Sequence, residues 1–209
     1  MMSDTRFDNL TKLPDFPAAR ILTRNKVKLQ TPLDLPAGAP AAELLAALAA
    51  KDALVDMLQL LAHALPAREA TFWACLAAKD LGQGKTRCVR AAEAWVRQPG
   101  LETRIEAREA LDAVDDDDDT VFCAMAASFA DGTMGPGEYE DYDAPPGAVG
   151  GAVLGLLLIT LFDENADPET RGALLLQRGL DIARGGNGQI EKGSEPNTSS
   201  AALTDETAR

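Results

Sequence analysis

The run Leu54-Val55-Asp56-Met57-Leu58-Gln59-Leu60-Leu61-Ala62-His63-Ala64-Leu65-Pro66-Ala67-Arg68-Glu69-Ala70-Thr71-Phe72-Trp73-Ala74-Cys75 reads as two helices meeting at a break. Leu54, Val55, Leu58, Leu61, Ala62 and Leu65 recur at 3.6-residue spacing, which stacks them on one helical face. Pro66 stops that pattern and suits the first turn of a second helix, whose stripe is Ala70, Trp73, Ala74 and Ala77. Cys88, Ala91, Ala92, Trp95 and Val96 form a further stripe, and Pro99-Gly100 separates it from the next helix. Trp73 and Trp95 are expected to be core aromatics that lock two helices together.

Outward from this run the same rhythm continues. Helices are predicted over 40–50, 52–64, 67–80, 86–97, 101–113, 119–130, 147–162 and 168–184. Asp167-Pro168 starts the last of these and Gly185-Gly186 ends it. Alanine is abundant, aromatics are 5% of the 209 residues and alternating β-branched runs are absent, so strands have little to start from. The expected fold is all-α, a compact antiparallel bundle of about seven or eight helices. The expected organisation is an extended basic arm (1–37), a helical domain (38–186) with an acidic loop (131–146), and a disordered C-terminal tail (187–209). Pro14, Pro17, Pro32 and Pro36 interrupt any helix in the arm.

Charge is distributed unevenly. Fourteen of the 33 carboxylates fall between Glu102 and Asp143, against only Arg104 and Arg108, so this region carries −12 of the net −13. Its centre is Asp115, Asp116, Asp117, Asp118 and Asp119. These aspartates lead into the predicted 119–130 helix, where negative charge favours the N-terminus, or they dock a basic partner. The 131–146 loop adds Glu138, Glu140 and Asp141 with Tyr139 and Tyr142, directly before the most apolar segment of the chain. These ten residues are the candidates for contact with a protein partner. Nucleic acid is excluded as a partner by the repulsion of its phosphates.

Motifs that would carry catalysis fall short. Gly82-Gln83-Gly84-Lys85-Thr86 resembles the end of a phosphate-binding loop, but Lys79 stands where a glycine is needed and a helix precedes it. His63 is the only histidine, so a multi-histidine metal site within one chain is ruled out. Asp56 lies seven residues earlier on the same helical face and could pair with His63. A Cys75–His63 dyad is the other arrangement open to it, although Cys75 sits in an Ala-rich helix where cysteine behaves as a small hydrophobe. Neither the aspartate run nor Asp163–Asp167 has the glycine and glutamate of a calcium loop. Cys75, Cys88 and Cys123 are expected to be buried, reduced thiols. No catalytic, cofactor-binding or metal-binding residue is assigned, and an enzyme is not expected.

Gly147 to Phe162 is uncharged and leucine-rich, with Gly147, Gly151 and Gly155 four apart to admit a neighbouring helix. It is shorter than the roughly 20 residues of a membrane span and is flanked by aspartates, so a buried central helix is expected. The N-terminus lacks a basic segment followed by an apolar one, which favours a cytoplasmic location.

Leu65–Cys75, Ala91-Ala92-Glu93-Ala94-Trp95-Val96 and Gly179-Leu180-Asp181-Ile182-Ala183-Arg184-Gly185 together resemble an uncharacterised family of small bacterial helical proteins, often encoded beside type VI secretion genes. The similarity covers about residues 40–186. Phe72 replaces an expected second tryptophan, and the 131–146 loop is particular to this chain. The resemblance implies an accessory role, as adaptor or chaperone for a secreted effector. A membrane-active effector working through the 147–162 helix is the alternative.

Overall fold

The computed structural model describes residues 5–114 and 118–190. Among them the chain forms α1 (Ala18–Arg24), α2 (Ala41–Ala49), α3 (Leu54–Ala64), α4 (Ala67–Asp80), α5 (Arg87–Arg97), α6 (Leu101–Asp112), α7 (Val121–Ser128), α8 (Ala148–Leu161) and α9 (Pro168–Ala183). The fold is an all-α bundle. The eight expected helices appear as α2 to α9, each end within two residues of its expected place. The reason is visible at their starts. Pro40 and Pro66 stand at the N-caps of α2 and α4, where a missing N–H costs nothing. The Thr86 hydroxyl accepts the Val89 N–H at 3.2 Å to open α5, and the Asp167 carboxylate accepts the Thr170 N–H at 2.8 Å to open α9. Gly185, at φ 94°, turns the chain out of α9.

α4 and α8 occupy the middle. α4 packs on α5, α7, α8 and α9, and α8 packs on α3, α4, α7 and α9. Trp73 of α4 is fully buried. A Cβ on Gly179 of α9 would lie 2.6 Å from the Trp73 ring, so the indole fills space left by a hydrogen. Alanines 70, 74, 77 and 78 of α4 and 124, 126 and 127 of α7 are buried and keep the helices close. The three cysteines are free and buried as expected. Burial pushes the Cys88 thiol up to about 11. Contact with the Cys75 thiol, and then burial, hold Cys123 well above the ordinary range. Thiols so protonated are poor nucleophiles.

Two expectations are corrected. The glycines of α8 do not form a stripe at 147, 151 and 155: Gly151 faces open space, while Gly150 meets His63 and Gly155 meets the Phe122 ring. The helix is otherwise the buried central element expected, and Phe162 just beyond its end is 64% exposed. The arm, in turn, is more than an extended strip. Pro17 starts α1 rather than breaking it, because proline is harmless ahead of a first turn. Phe7, Ala18 and Ile21 enter the same core as the rest of the bundle. The arm then runs along α3, where the Asp56 carboxylate accepts the Gln30 N–H at 2.9 Å and the Thr31 N–H at 2.7 Å. Burial alone would raise the Asp56 pKa, but the Thr31 side chain together with these backbone bonds outweighs it and holds it below the ordinary value. Earlier in the arm the Lys12 N–H reaches the Ala183 carbonyl at 2.8 Å, at the C-terminus of α9. Of the expected tail, 187–190 is described, with the Gly188 N–H on the Asp181 carboxylate at 2.8 Å, and 191–209 lies outside the described residues.

Two helical glycines separate packing from propensity. Gly179→Ala adds a methyl group against Trp73 and is expected to destabilise by about 1–3 kcal/mol. Gly151→Ala adds the same group in open space and is expected to stabilise by about 0.5–1 kcal/mol. Urea denaturation of both variants checks the pair. Stabilisation by both would mean that Trp73 moves aside freely.

Candidate functional site

The acidic region is built on α6, which packs mainly on α5 and α7. Only Ala107 and Ala110 of α6 are buried. Its two arginines point toward the protein, with side chains 11% and 18% exposed. Arg104 pairs with Asp131 and donates to the Ser128 carbonyl at 3.3 Å and to the Thr133 hydroxyl at 3.3 Å. Arg108 donates to the Met134 carbonyl at 3.1 Å, pairs with Asp112 at 2.8 Å, and lies 4.2 Å from the centre of the Tyr139 ring. Helix and loop are thereby joined at both ends of the turn beyond α7.

The loop itself is ordered by its backbone. The Met134 N–H reaches the Tyr142 carbonyl at 2.7 Å, and the Ala144 N–H reaches the Gly132 carbonyl at 2.8 Å. Thr133 and Asp143 form an antiparallel bridge. Asp131 accepts the Thr133 N–H at 3.1 Å and its hydroxyl at 2.9 Å. Burial raises its pKa, yet the Thr133 bonds and Arg104 together hold it below the ordinary value. Gly135 and Gly137, both at positive φ, turn the chain into a short 3-10 turn over Gly137–Tyr139.

The ten candidate residues therefore separate. Asp115, Asp116 and Asp117 lie outside the described residues. Asp118 is structural, since its carboxylate accepts the Thr120 N–H at 2.8 Å and also the Thr120 hydroxyl. The Thr120 and Thr86 hydroxyls lie 2.6 Å apart, and Thr86 in turn accepts from Val89, so one relay joins the starts of α7 and α5. Asp118 thus acts just ahead of a helix that begins at Val121. Asp119, Glu138, Glu140 and Asp141 are not buried, and Tyr142 is 64% exposed. Tyr139 is half-buried on Arg108. Missed in the sequence were Leu101 and Ile105, one turn apart on α6 and exposed among Glu102, Glu106 and Glu109. The signal that could have found them was a pair of apolar residues four apart in an otherwise charged helix.

The other motifs resolve simply. Gly82–Thr86 joins two helices, and Thr86 caps the second. Asp56 and His63 are not brought together: seven helical residues put them about 10 Å apart along α3, and the Asp56 carboxylate faces the arm. Cys75 is fully buried against Cys123, so the Cys75–His63 dyad is not formed. His63 instead lines a cleft between the arm and the start of α8. Its ring packs against Gly147 and Gly150, and its Nδ1 is buried without a partner. Burial lowers its pKa from 6.5.

Residues 44–183 match the model of a family described as a family of unknown function, DUF6931. No curated protein and no solved structure matches the chain.

Because His63 is the sole histidine, its titration can be read without interference. The folded state favours the neutral imidazole, so protonation favours the unfolded chain. The contribution is complete above the unfolded value of 6.5 and is lost as pH falls from there through the lowered folded value. Thermal midpoints are expected to drop over that window in the wild type and to stay flat there in His63→Gln. An imidazole titrating above 6.5 by NMR would contradict this.

Proposed function

The chain belongs to the DUF6931 family, and from that footing we propose that it is a non-enzymatic protein-interaction module that offers α6 and the tip of the 131–146 loop to a basic partner. The observation that supports this is the division of charge. Arg104 and Arg108 face inward and hold the loop, while Glu102, Glu106, Glu138, Glu140 and Asp141 face water. A surface fixed before binding loses little conformational entropy when a partner docks. Its charge guides the encounter, and Leu101, Ile105 and Tyr142 supply apolar contact.

The finer reading is an adaptor or chaperone accessory to bacterial type VI secretion, at work in the cytoplasm. Its support is the resemblance carried by Leu65–Cys75, Ala91–Val96 and Gly179–Gly185. The alternative, a membrane-active effector, has less behind it. Val153, Leu156, Leu157 and Leu161 of α8 are buried in the bundle, and no helix among the described residues is long and apolar enough to cross a membrane.

Capture of partners by the immobilised chain, at low and high salt, tests the acidic dock. The triple variant Glu138→Lys, Glu140→Lys, Asp141→Lys is expected to lose the captured partner, and high salt is expected to release it from the wild type. Retention indifferent to both would sink the dock. A partner that behaves as expected but has no place in secretion would remove the secretion context alone.

A further inference from the structure

We infer that residues 18–39 form a flap that swings away from the bundle as a unit while the other helices stay in place, with Asp56 as its latch. The flap does not depend on the acidic dock.

The two ends of this segment are tied to each other. The Ala18 N–H reaches the Ala39 carbonyl at 2.9 Å, so the flap leaves and rejoins the bundle at one point. The chain ahead of it is secured separately. The Lys12 N–H is on the Ala183 carbonyl, and the Lys12 ammonium pairs with Glu69 at 3.0 Å. Between the ends of the flap only Ile21 is buried. A segment that commits so little apolar surface to the core opens at a lower cost than global unfolding.

The flap is also loosely filled. A hollow of about 330 Å³ lies among Leu22, Val27, Leu29, Leu33 and Leu35, all half-buried, and reaches Leu44 of α2. On the other side of α1, Ile21, Arg24 and Asn25 line the cleft of about 740 Å³ that runs to the end of α3 and the start of α8. α1 is thus a partition between two hollows. When it lifts, they merge into one groove from α2 across α3 to the start of α8.

The hold on the flap is largely polar. Among the described residues, its hydrogen bonds to the rest of the bundle are made to Asp56, Lys51 and His63. The Lys51 ammonium donates to the Pro32 carbonyl at 2.7 Å, and the Asn25 side-chain amide donates to the His63 carbonyl at 3.4 Å. Asp56, 3% exposed, is the one charged residue among the buried ones described. A buried carboxylate is costly unless donors satisfy it, and here the Gln30 and Thr31 amides of the flap do so. Opening admits water in their place, so the carboxylate is bonded in both positions and the latch is reversible.

Native-state hydrogen exchange of the full-length chain in low urea tests the flap. The reporters are Lys26 and Val27, whose amides bond within the flap to the Thr23 and Leu22 carbonyls at 3.1 and 2.9 Å, away from the latch. Both are expected to open at least about a hundredfold more often than the amides of α4 and α8, with a weaker dependence on urea because less surface is exposed. Asp56→Asn removes the charge at constant shape and is expected to raise opening at both by at least about tenfold. Lys51→Met, at an exposed residue, is expected to raise it by about threefold and serves alone if Asp56→Asn does not fold. Exchange of Lys26 and Val27 only together with α4 and α8, at the same urea dependence, would overturn the flap. So would a rise confined to Gln30 and Thr31. No change at Lys26 and Val27 in either folded variant would overturn the latch.

Discussion

The indole of Trp73 occupies a space that exists only because residue 179 has no side chain. That contact sets how closely α9 approaches α4, and α4 also carries α5, α7 and α8. The buried alanines of α4 and α7 extend the same constraint. A core made of small residues around one large ring gains its stability from close approach rather than from bulky side chains. It also tolerates little enlargement, because the backbones themselves are the packing surface. The ion pair between Arg178 of α9 and Asp80 of α4 joins the two helices through side chains that are largely buried.

On this frame the charges are sorted by direction. The acidic region has two cations, and both are turned inward to hold its own loop. What remains outside is nearly all negative, and its backbone is fixed by the bridge at Thr133 and Asp143. The arm brings Arg24 and Lys12 to the cleft beside His63, where the Lys12 ammonium is already paired with Glu69 at 3.0 Å. The 131–146 loop thus contributes its tip to the acidic surface and its base to this cleft.

The helices of the bundle were legible because their signals are local. A 3.6-residue stripe, a proline at the start and a glycine at the end lie within one element, and Trp73 and Trp95 were placed in the core on those grounds. Features that depend on distant pairs were not legible. The attachment of the loop to α6 comes from arginines some thirty residues earlier in the chain. The cleft joins the arm, the break between α3 and α4, the end of α7 and the segment before α8, which are distant from one another in sequence. Even within a helix, spacing alone misled: 147, 151 and 155 share a face, but the neighbours sit over 147, 150 and 155 and leave 151 open. Asp56 and His63 share a face too, yet lie too far apart along the axis to meet. Pro17 was legible as a helix breaker and proved to be a helix starter, since proline has opposite effects at the two positions.

The single carboxylate of Asp56 has a bearing on how much of the arm belongs to the packed bundle. It holds two successive amides of the arm, while Phe7, Ala18 and Ile21 join the core beside α2 and α3. The family match starts only at residue 44. A chain cut at that point would return Asp56 to water and its carboxyl to the ordinary titration range. It would also bare the face of α3 on which α1 packs, and it would take away one wall of the cleft. The packing of this chain thus extends N-terminal to the residues that the family model matches, and the hydrogen bonds on Asp56 hold that extension to α3.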